Sequence, residues 1–104
     1  MPLLRNVLAA PFTLRSETLL MEDGSWLRTL TYPELGARVE GEHMMELVEA
    51  IEIERARVLI RAIEKGERIE PVREPISDYG VEDLLVRAGL EDWIARLDDN
   101  VAVG

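Results

Sequence analysis

The sequence predicts an α+β fold with an N-terminal β-hairpin, one long central α-helix, an extended proline-containing linker and two short C-terminal helices. Three observations support this prediction. Two β-prone runs flank Asp23-Gly24, apolar residues recur at helical spacing after Glu40, and Pro71 and Pro75 interrupt the chain beyond that helix. With 104 residues the chain has the length of one compact domain, so residues 1–104 are predicted as a single domain.

The hairpin is predicted over residues 10–32, because Asp23-Gly24 supplies the positive φ of a tight turn. The segment before the hairpin ends at Pro11. Two interpretations of this segment are open, a short helix and a docking arm. Alternation along the second strand places Leu30 and its even-numbered neighbours on one face. Because an isolated ribbon is only marginally stable, the hairpin is expected to lie on the long helix, join further strands or pair with another chain. Residues 33–41 are predicted as a connector, with or without a helical turn.

The long helix is predicted over residues 40–66, where Gly66 stands at the C-terminal cap position. Residues 67–76 are predicted as an extended linker, because their prolines disfavour a helix. Residues 77–97 are predicted as a pair of short helices, and Gly89 ends the first of them.

The stretch VEDLLVRAGLEDWIARLDDN, residues 81–100, resembles the first two helices of a sterile alpha motif domain, which is an interaction module. The resemblance rests on the following residues: Val81, Leu84, Leu85, Gly89, Leu90 and Trp93. It implies the local packing of a helix pair, a pattern that many helix-turn-helix pairs share, and it gives no family assignment.

The long helix carries more apolar surface than one core-facing stripe requires. Beside the main stripe lies a second apolar strip, formed by Met45, Ile53, Ala56, Ile60 and Ile63. The remaining apolar material is limited and includes only five aromatic residues in the whole chain. The strip is therefore predicted as an interface between copies of this chain. The alternative is burial inside the monomer by the N-terminal arm and the C-terminal helix pair. The first functional hypothesis is a small acidic, non-enzymatic interaction domain that self-associates and acts as an adaptor, assembly or accessory factor of a larger complex.

Arg55 falls in the middle of the main stripe, and Glu52 lies one turn earlier at a partnering distance. An unpaired guanidinium there would be costly to bury. Three arrangements are open: the stripe is solvated at this point, Arg55 meets a carboxylate across an interface, or its stem is buried while its head stays in water.

Glu42, Glu46 and Glu49 stack along one side of the first two turns of the predicted helix. They complement the helix dipole, and they also predict an acidic edge that docks on a basic partner. The net charge of −9, from 21 acids against 12 bases, disfavours direct nucleic-acid binding. The predicted partner is a protein with a basic surface, and the second hypothesis is an acidic inhibitor or regulator, as small phage-type regulators are.

Glu40 and His43 form an E-x-x-H pair, which on a helix is half of a di-metal carboxylate ligand set. Because the chain has one histidine, such a site would need two chains. Glu40, His43 and Glu46 are the candidate ligands of this third hypothesis, a metal-binding dimer, and no other cofactor is predicted. No serine has a nucleophile-elbow context and no glycine loop cradles phosphate, so no catalytic residue and no enzyme is predicted.

The absence of cysteine excludes disulfide frameworks and thiolate catalysis. The sequence has no apolar run of about 18 residues and no secretory signal pattern. We therefore expect no membrane association and a cytoplasmic location, or an intravirion one if the chain is phage-encoded. With one lysine and no glutamine, the composition suits a thermophilic protein or a GC-rich genome, and both interpretations are open.

Overall fold

The computed structural model describes residues 3–67 and 79–101. Its elements, in chain order, are helix α1 (Leu4–Ala9), strands β1 (Arg15–Leu20), β2 (Trp26–Tyr32) and β3 (Ala37–Gly41), helix α2 (Met44–Glu64), helix α3 (Val81–Arg87) and a 3₁₀ helix (Glu91–Arg96). This order confirms the predicted α+β class. The linker predicted over residues 67–76 lies outside the described residues beyond Glu67, as do residues 77 and 78.

The three strands form one antiparallel sheet in the order β1-β2-β3. The prediction of a connector is wrong for residues 37–41, because they form β3 and pair with Arg28–Tyr32. A turn with Gly36 at φ 66° reverses the chain after Tyr32 and so returns it alongside β2. Five residues of alternating character are too short a signal to separate a strand from a loop. The hairpin thus joins a further strand.

The hairpin and the long helix both begin later than predicted. Phe12 is buried in the core and the Thr13 N–H donates to Glu34 Oε1 at 3.1 Å, so β1 starts only at Arg15. Helix α2 starts at Met44, because Glu40 and Gly41 belong to β3.

The glycine at the end of α2 acts as predicted. Gly66 has φ 73°, and its N–H donates to Ile63 O while the Glu67 N–H donates to Ala62 O. These two bonds form a Schellman cap. Gly89 repeats the same arrangement after α3, with φ 73°.

Helix α2 packs across β3 and β2, and α1 and α3 pack on α2. The inner face of the sheet, which points toward α2, carries the buried residues Leu30, Tyr32 and Ala37. The outer face carries Leu27, Thr29 and Thr31. Within the described ranges, no helix is long and apolar enough to cross a membrane.

The only charged side chain that is buried among the described residues is Arg55, at 2 % exposure. Its guanidinium donates to the Ala10 carbonyl and to the Tyr79 hydroxyl, and it lies 3.6 Å from the Glu52 carboxylate. Three aromatic rings surround its Cζ atom at 5.0 to 6.0 Å from their centroids: Phe12, Tyr32 and Tyr79. The partnering distance to Glu52 that the spacing predicts is confirmed, whereas none of the three open arrangements is found. The Arg55 guanidinium is buried away from water, and the carboxylate that pairs with it belongs to the same chain.

Glu52 completes this group, which we call the Arg55 cluster: Phe12, Tyr32, Glu52, Arg55 and Tyr79. The Glu52 carboxylate accepts hydrogen bonds from the Tyr32 hydroxyl, at 2.6 Å, and from the Tyr79 hydroxyl. Every member therefore has a partner, as buried polar groups require. The cluster joins the segment after α1, strand β2, helix α2 and the residues before α3.

The cluster predicts a loss of stability at alkaline pH. Burial, and then the hydrogen bond to Glu52, raise the pKa of both Tyr32 and Tyr79 above the ordinary value of 10. The folded state therefore keeps protons that the unfolded chain releases above about pH 10. The stabilisation that comes from the raised pKa values of the two tyrosines is therefore complete below about pH 10. Above it, we expect the free energy of unfolding to fall by up to about 1.4 kcal/mol per pH unit for each tyrosine.

Urea unfolding followed by circular dichroism between about pH 8 and pH 11 measures this loss. The chain has two tyrosines, so Tyr32→Phe leaves one raised group and should reduce the slope by about half. A free energy of unfolding that stays constant across this range would contradict the assignment.

Candidate interaction surface

The apolar strip predicted as a helix interface is largely covered by its own chain. Ala56 and Ile60 are 0 % and 1 % exposed. Ile53 and Ile63 are partly buried and pack against the core. Only Met45, at 84 % exposure, is open to solvent. Ala56 and Ile60 cannot contact a second chain unless the core opens.

Helix α3, from the C-terminal helix pair that the monomer alternative named, covers part of the strip. Its Leu84 and the following Ala88 pack against Ala56 of α2. Ala56 on α2 and Ala88 at the end of α3 are small, which allows the two segments to approach closely. The Arg57 guanidinium donates to the Ala88 carbonyl at 3.2 Å. A helix of seven residues is therefore sufficient to cover this part of the strip.

The predicted acidic edge is exposed, but its three members differ in their surroundings. Glu49 forms an ion pair with Arg87 of α3 at 3.5 Å. Glu42 lies between β3 and α2, and Glu46 lies in the first turn of α2. Neither has an ion-pair partner within residues 3–67 and 79–101, so these two carboxylates are available to a partner.

The metal hypothesis loses its geometric basis. Glu40 lies in β3 and pairs with Arg38 at 3.2 Å, whereas His43 precedes the first residue of α2. The E-x-x-H pair therefore does not share a helix face, which was the reason to place a metal there. Among the described residues, no group of three or more histidine, aspartate or glutamate side chains converges on one point.

The turn between β1 and β2 shapes an exposed end of the molecule. The Met21 N–H donates to Ser25 O at 2.8 Å, and the Gly24 N–H donates to Met21 O at 3.0 Å. The first bond closes a loop of three residues, 22–24. Such a loop needs positive φ at one residue, and Gly24 supplies it with φ 87°. The Asp23 carboxylate accepts from the Ser25 N–H and hydroxyl, and these bonds lower its pKa. Asp23 is thus fixed and ionised at neutral pH.

The tip of the hairpin overhangs the rest of the sheet. Strand β3 ends at Gly41, opposite Arg28, so Trp26 lies beyond the third strand. Its cross-strand partner is Leu20, and these two side chains are 50 % and 57 % exposed. Met21 is also exposed. Apolar side chains of this size rarely cluster on a surface without a partner to cover them.

Trp26 lines an open hollow of about 510 Å³ at this tip. We call it the Trp26 hollow, and its lining residues are Met21, Glu22, Asp23, Ser25, Trp26, Leu27 and Glu42. Three of these are acids and none is basic. An indole ring beside carboxylates is a favourable site for a cationic side chain, since the ring face and the acids both attract positive charge.

Sequence reasoning identified one member of this hollow, Glu42, as part of the acidic edge. It placed Trp26 only on a strand face. The signal was the segment MEDGSW, residues 21–26, where an aromatic residue and two acids flank a predicted turn. That signal becomes a site only because Glu42, which follows the last residue of β3, lines the same hollow as the turn.

Comparison of the chain with protein-family models, with curated proteins and with solved structures gave no match. The resemblance of residues 81–100 to a sterile alpha motif domain therefore rests on local sequence alone, and the candidate surface is interpreted from its own chemistry.

Proposed function

We propose that this protein is a non-enzymatic interaction domain that docks on a protein with a basic surface through the Trp26 hollow. The observation that supports the proposal is a half-exposed tryptophan on an overhanging hairpin, in a hollow that three acidic residues also line. An adaptor or accessory factor and an inhibitor of a basic protein would both use this surface. We place the protein's site of action in the cytoplasm, or in the virion if it is phage-encoded.

The chemistry of the hollow favours an arginine or lysine side chain as the group that enters it. A cation over an indole face contributes about 0.5–1 kcal/mol at an exposed site and about 2 kcal/mol when water is excluded. Tryptophan is also enriched among the residues that dominate binding energy at interfaces. The hollow is large enough for such a group, because ligand-binding clefts span about 300–1,000 Å³.

The net charge acts at longer range. A charge of −9 attracts a basic partner and repels acidic ones, which increases the association rate more than the affinity. Glu42, which has no ion-pair partner among the described residues, adds negative charge to the hollow itself.

A short arginine peptide and the same peptide with citrulline at each arginine are suitable probes. Citrulline keeps the shape of arginine and removes its charge. In a Trp93→Phe background, Trp26 is the remaining tryptophan, because the chain has two, and selective excitation of tryptophan separates its emission from that of the tyrosines. We expect the arginine peptide to change the Trp26 emission and the citrulline peptide to have no effect. Affinity should fall as salt is raised.

Matched variants locate the site. Trp26→Ala should weaken binding of the fluorescently labelled arginine peptide by about five- to tenfold, while Val86→Ala, an exposed apolar residue on α3, should not. Glu22→Gln with Glu42→Gln should weaken binding more than Glu54→Gln with Glu64→Gln, which removes the same charge from α2. Equal effects of the two charge pairs, or binding indifferent to Trp26→Ala, would exclude the hollow as the docking site.

A further inference from the structure

Strand β1 is an edge of the sheet, and no strand pairs with its outer side among the described residues. All six of its side chains are exposed. The run Arg15–Leu20 contains no proline, glycine or lysine, the residues that commonly block pairing at sheet edges. Strand β1 therefore has the properties of a strand that another strand can join.

Hydrogen bonding in the hairpin identifies the backbone groups at this edge. The Met21 N–H donates to Ser25 O, so the backbone of Met21 faces β2. Backbone groups alternate between the two sides of an antiparallel strand. The N–H and C=O groups that face the open edge therefore belong to the even-numbered residues of β1, which are Ser16, Thr18 and Leu20.

The charges of β1 have no partner within the described part of the chain. Arg15 and Glu17 lie on the outer face, opposite Thr31 and Thr29 of β2. Neither forms an ion pair there. On β3, at the other edge of the sheet, Arg38 and Glu40 pair with each other at 3.2 Å. Of the two edge strands, β1 is thus the one that presents a charge of each sign without an ion-pair partner in residues 3–67 and 79–101.

We infer that two copies of this chain pair through β1, antiparallel and about a two-fold axis at Ser16, to form one continuous sheet. In this register Arg15 of each copy lies directly opposite Glu17 of the other. Ser16 lies opposite Ser16, and Leu14 opposite Thr18. The edge-facing N–H and C=O groups of the two Ser16 residues then meet in a hydrogen-bonded pair.

Charge selects this register over its neighbours. An axis at Glu17 would place the two Glu17 side chains directly opposite each other, and like charges in that position are destabilising. An axis at Thr18 would place Glu17 opposite Leu19 and leave Arg15 without a carboxylate. An offset of a single residue would turn inner-face side chains of one copy to the outer face of the other.

This self-pairing goes beyond the proposed docking function and does not depend on it. The axis at Ser16 is remote from the turn that forms the Trp26 hollow. Self-association was expected from the sequence, and the structure assigns it to a different surface from the strip on α2.

Sedimentation velocity of the full chain over a concentration series tests the inference. We expect the wild-type chain to form a dimer and Ser16→Pro to be monomeric. The Ser16 N–H faces the open edge, so proline removes no bond to β2 and is tolerated there. Ser16→Val keeps the N–H and should still dimerise. Circular dichroism of each variant checks that the fold is retained.

Charge reversal tests the register. Arg15→Glu and Glu17→Arg each convert two attractive pairs into repulsive ones, so each should raise the dimer dissociation constant by at least about tenfold. The double variant restores opposite charges and should return close to the wild-type value. A monomeric wild-type chain, a dimer that survives Ser16→Pro, or a double variant that remains as weak as the single ones would overturn the inference.

Discussion

Ile60→Glu is expected to unfold the protein and not merely to dissociate an oligomer. Ile60 is 1 % exposed and packs in the core cluster with Leu59 and Leu85. A carboxylate there would have to stay charged without a partner or become protonated at a cost. We expect the free energy of unfolding to drop by more than about 4 kcal/mol, a large part of the stability of a domain of this size. Urea unfolding followed by circular dichroism measures the drop.

Met45→Glu is the matched control, because Met45 lies on the same predicted strip but is exposed. Its effect on the free energy of unfolding should stay within about 0.5 kcal/mol. An Ile60→Glu chain that keeps wild-type stability and differs only in its sedimentation coefficient would contradict the burial of Ile60. That result would favour the helix interface that the sequence predicted.

Glu52→Ala is expected to lower the free energy of unfolding by about 3–5 kcal/mol. The change removes the carboxylate from the buried Arg55 guanidinium and removes the acceptor of the Tyr32 and Tyr79 hydroxyls. Glu64→Ala, at the exposed end of α2, is the control and should have a small effect. Thermal and urea unfolding measure both variants.

Replacement of both charged partners separates the ion pair from packing. Arg55→Met keeps much of the side-chain volume and removes the charge, so we expect Glu52→Ala with Arg55→Met to be more stable than Glu52→Ala alone. The two effects should be strongly non-additive, as they are for partners in contact. A double variant that loses the sum of the two single effects would show that Arg55 and Glu52 act independently.

Local chemistry explains why part of the fold was predictable. Gly24, Gly66 and Gly89 follow residues that already indicate a tight turn or a helix end, and all three have positive φ as expected. Gly36 also has positive φ, but its neighbours carry no such signal. The period of the apolar residues likewise identified α2. Strand β3 was missed because its evidence is not local. Ala37–Gly41 becomes a strand by pairing with β2, and five residues carry too little pattern to indicate that pairing.

The Arg55 cluster also has one part that the sequence indicates and another part that it does not. The sequence places Arg55 in the apolar stripe and Glu52 one turn away. It does not indicate that Phe12, Tyr32 and Tyr79, from three distant segments, enclose the guanidinium. The candidate site is similar, since the acids beside the turn are visible in the sequence but the approach of Glu42 to Trp26 is not.

By itself the sequence determined the α+β class, the position of the first turn, the extent of most of α2 and its glycine cap, because neighbouring residues set these features. It also determined that α2 has two apolar sides. Only the tertiary structure decided what covers these two sides, since α3 packs on the second of them. The tertiary structure also decided that the overhanging hairpin leaves Trp26 and Leu20 exposed. Burial depends on which distant segments meet in space, and the spacing of residues along the chain does not specify that.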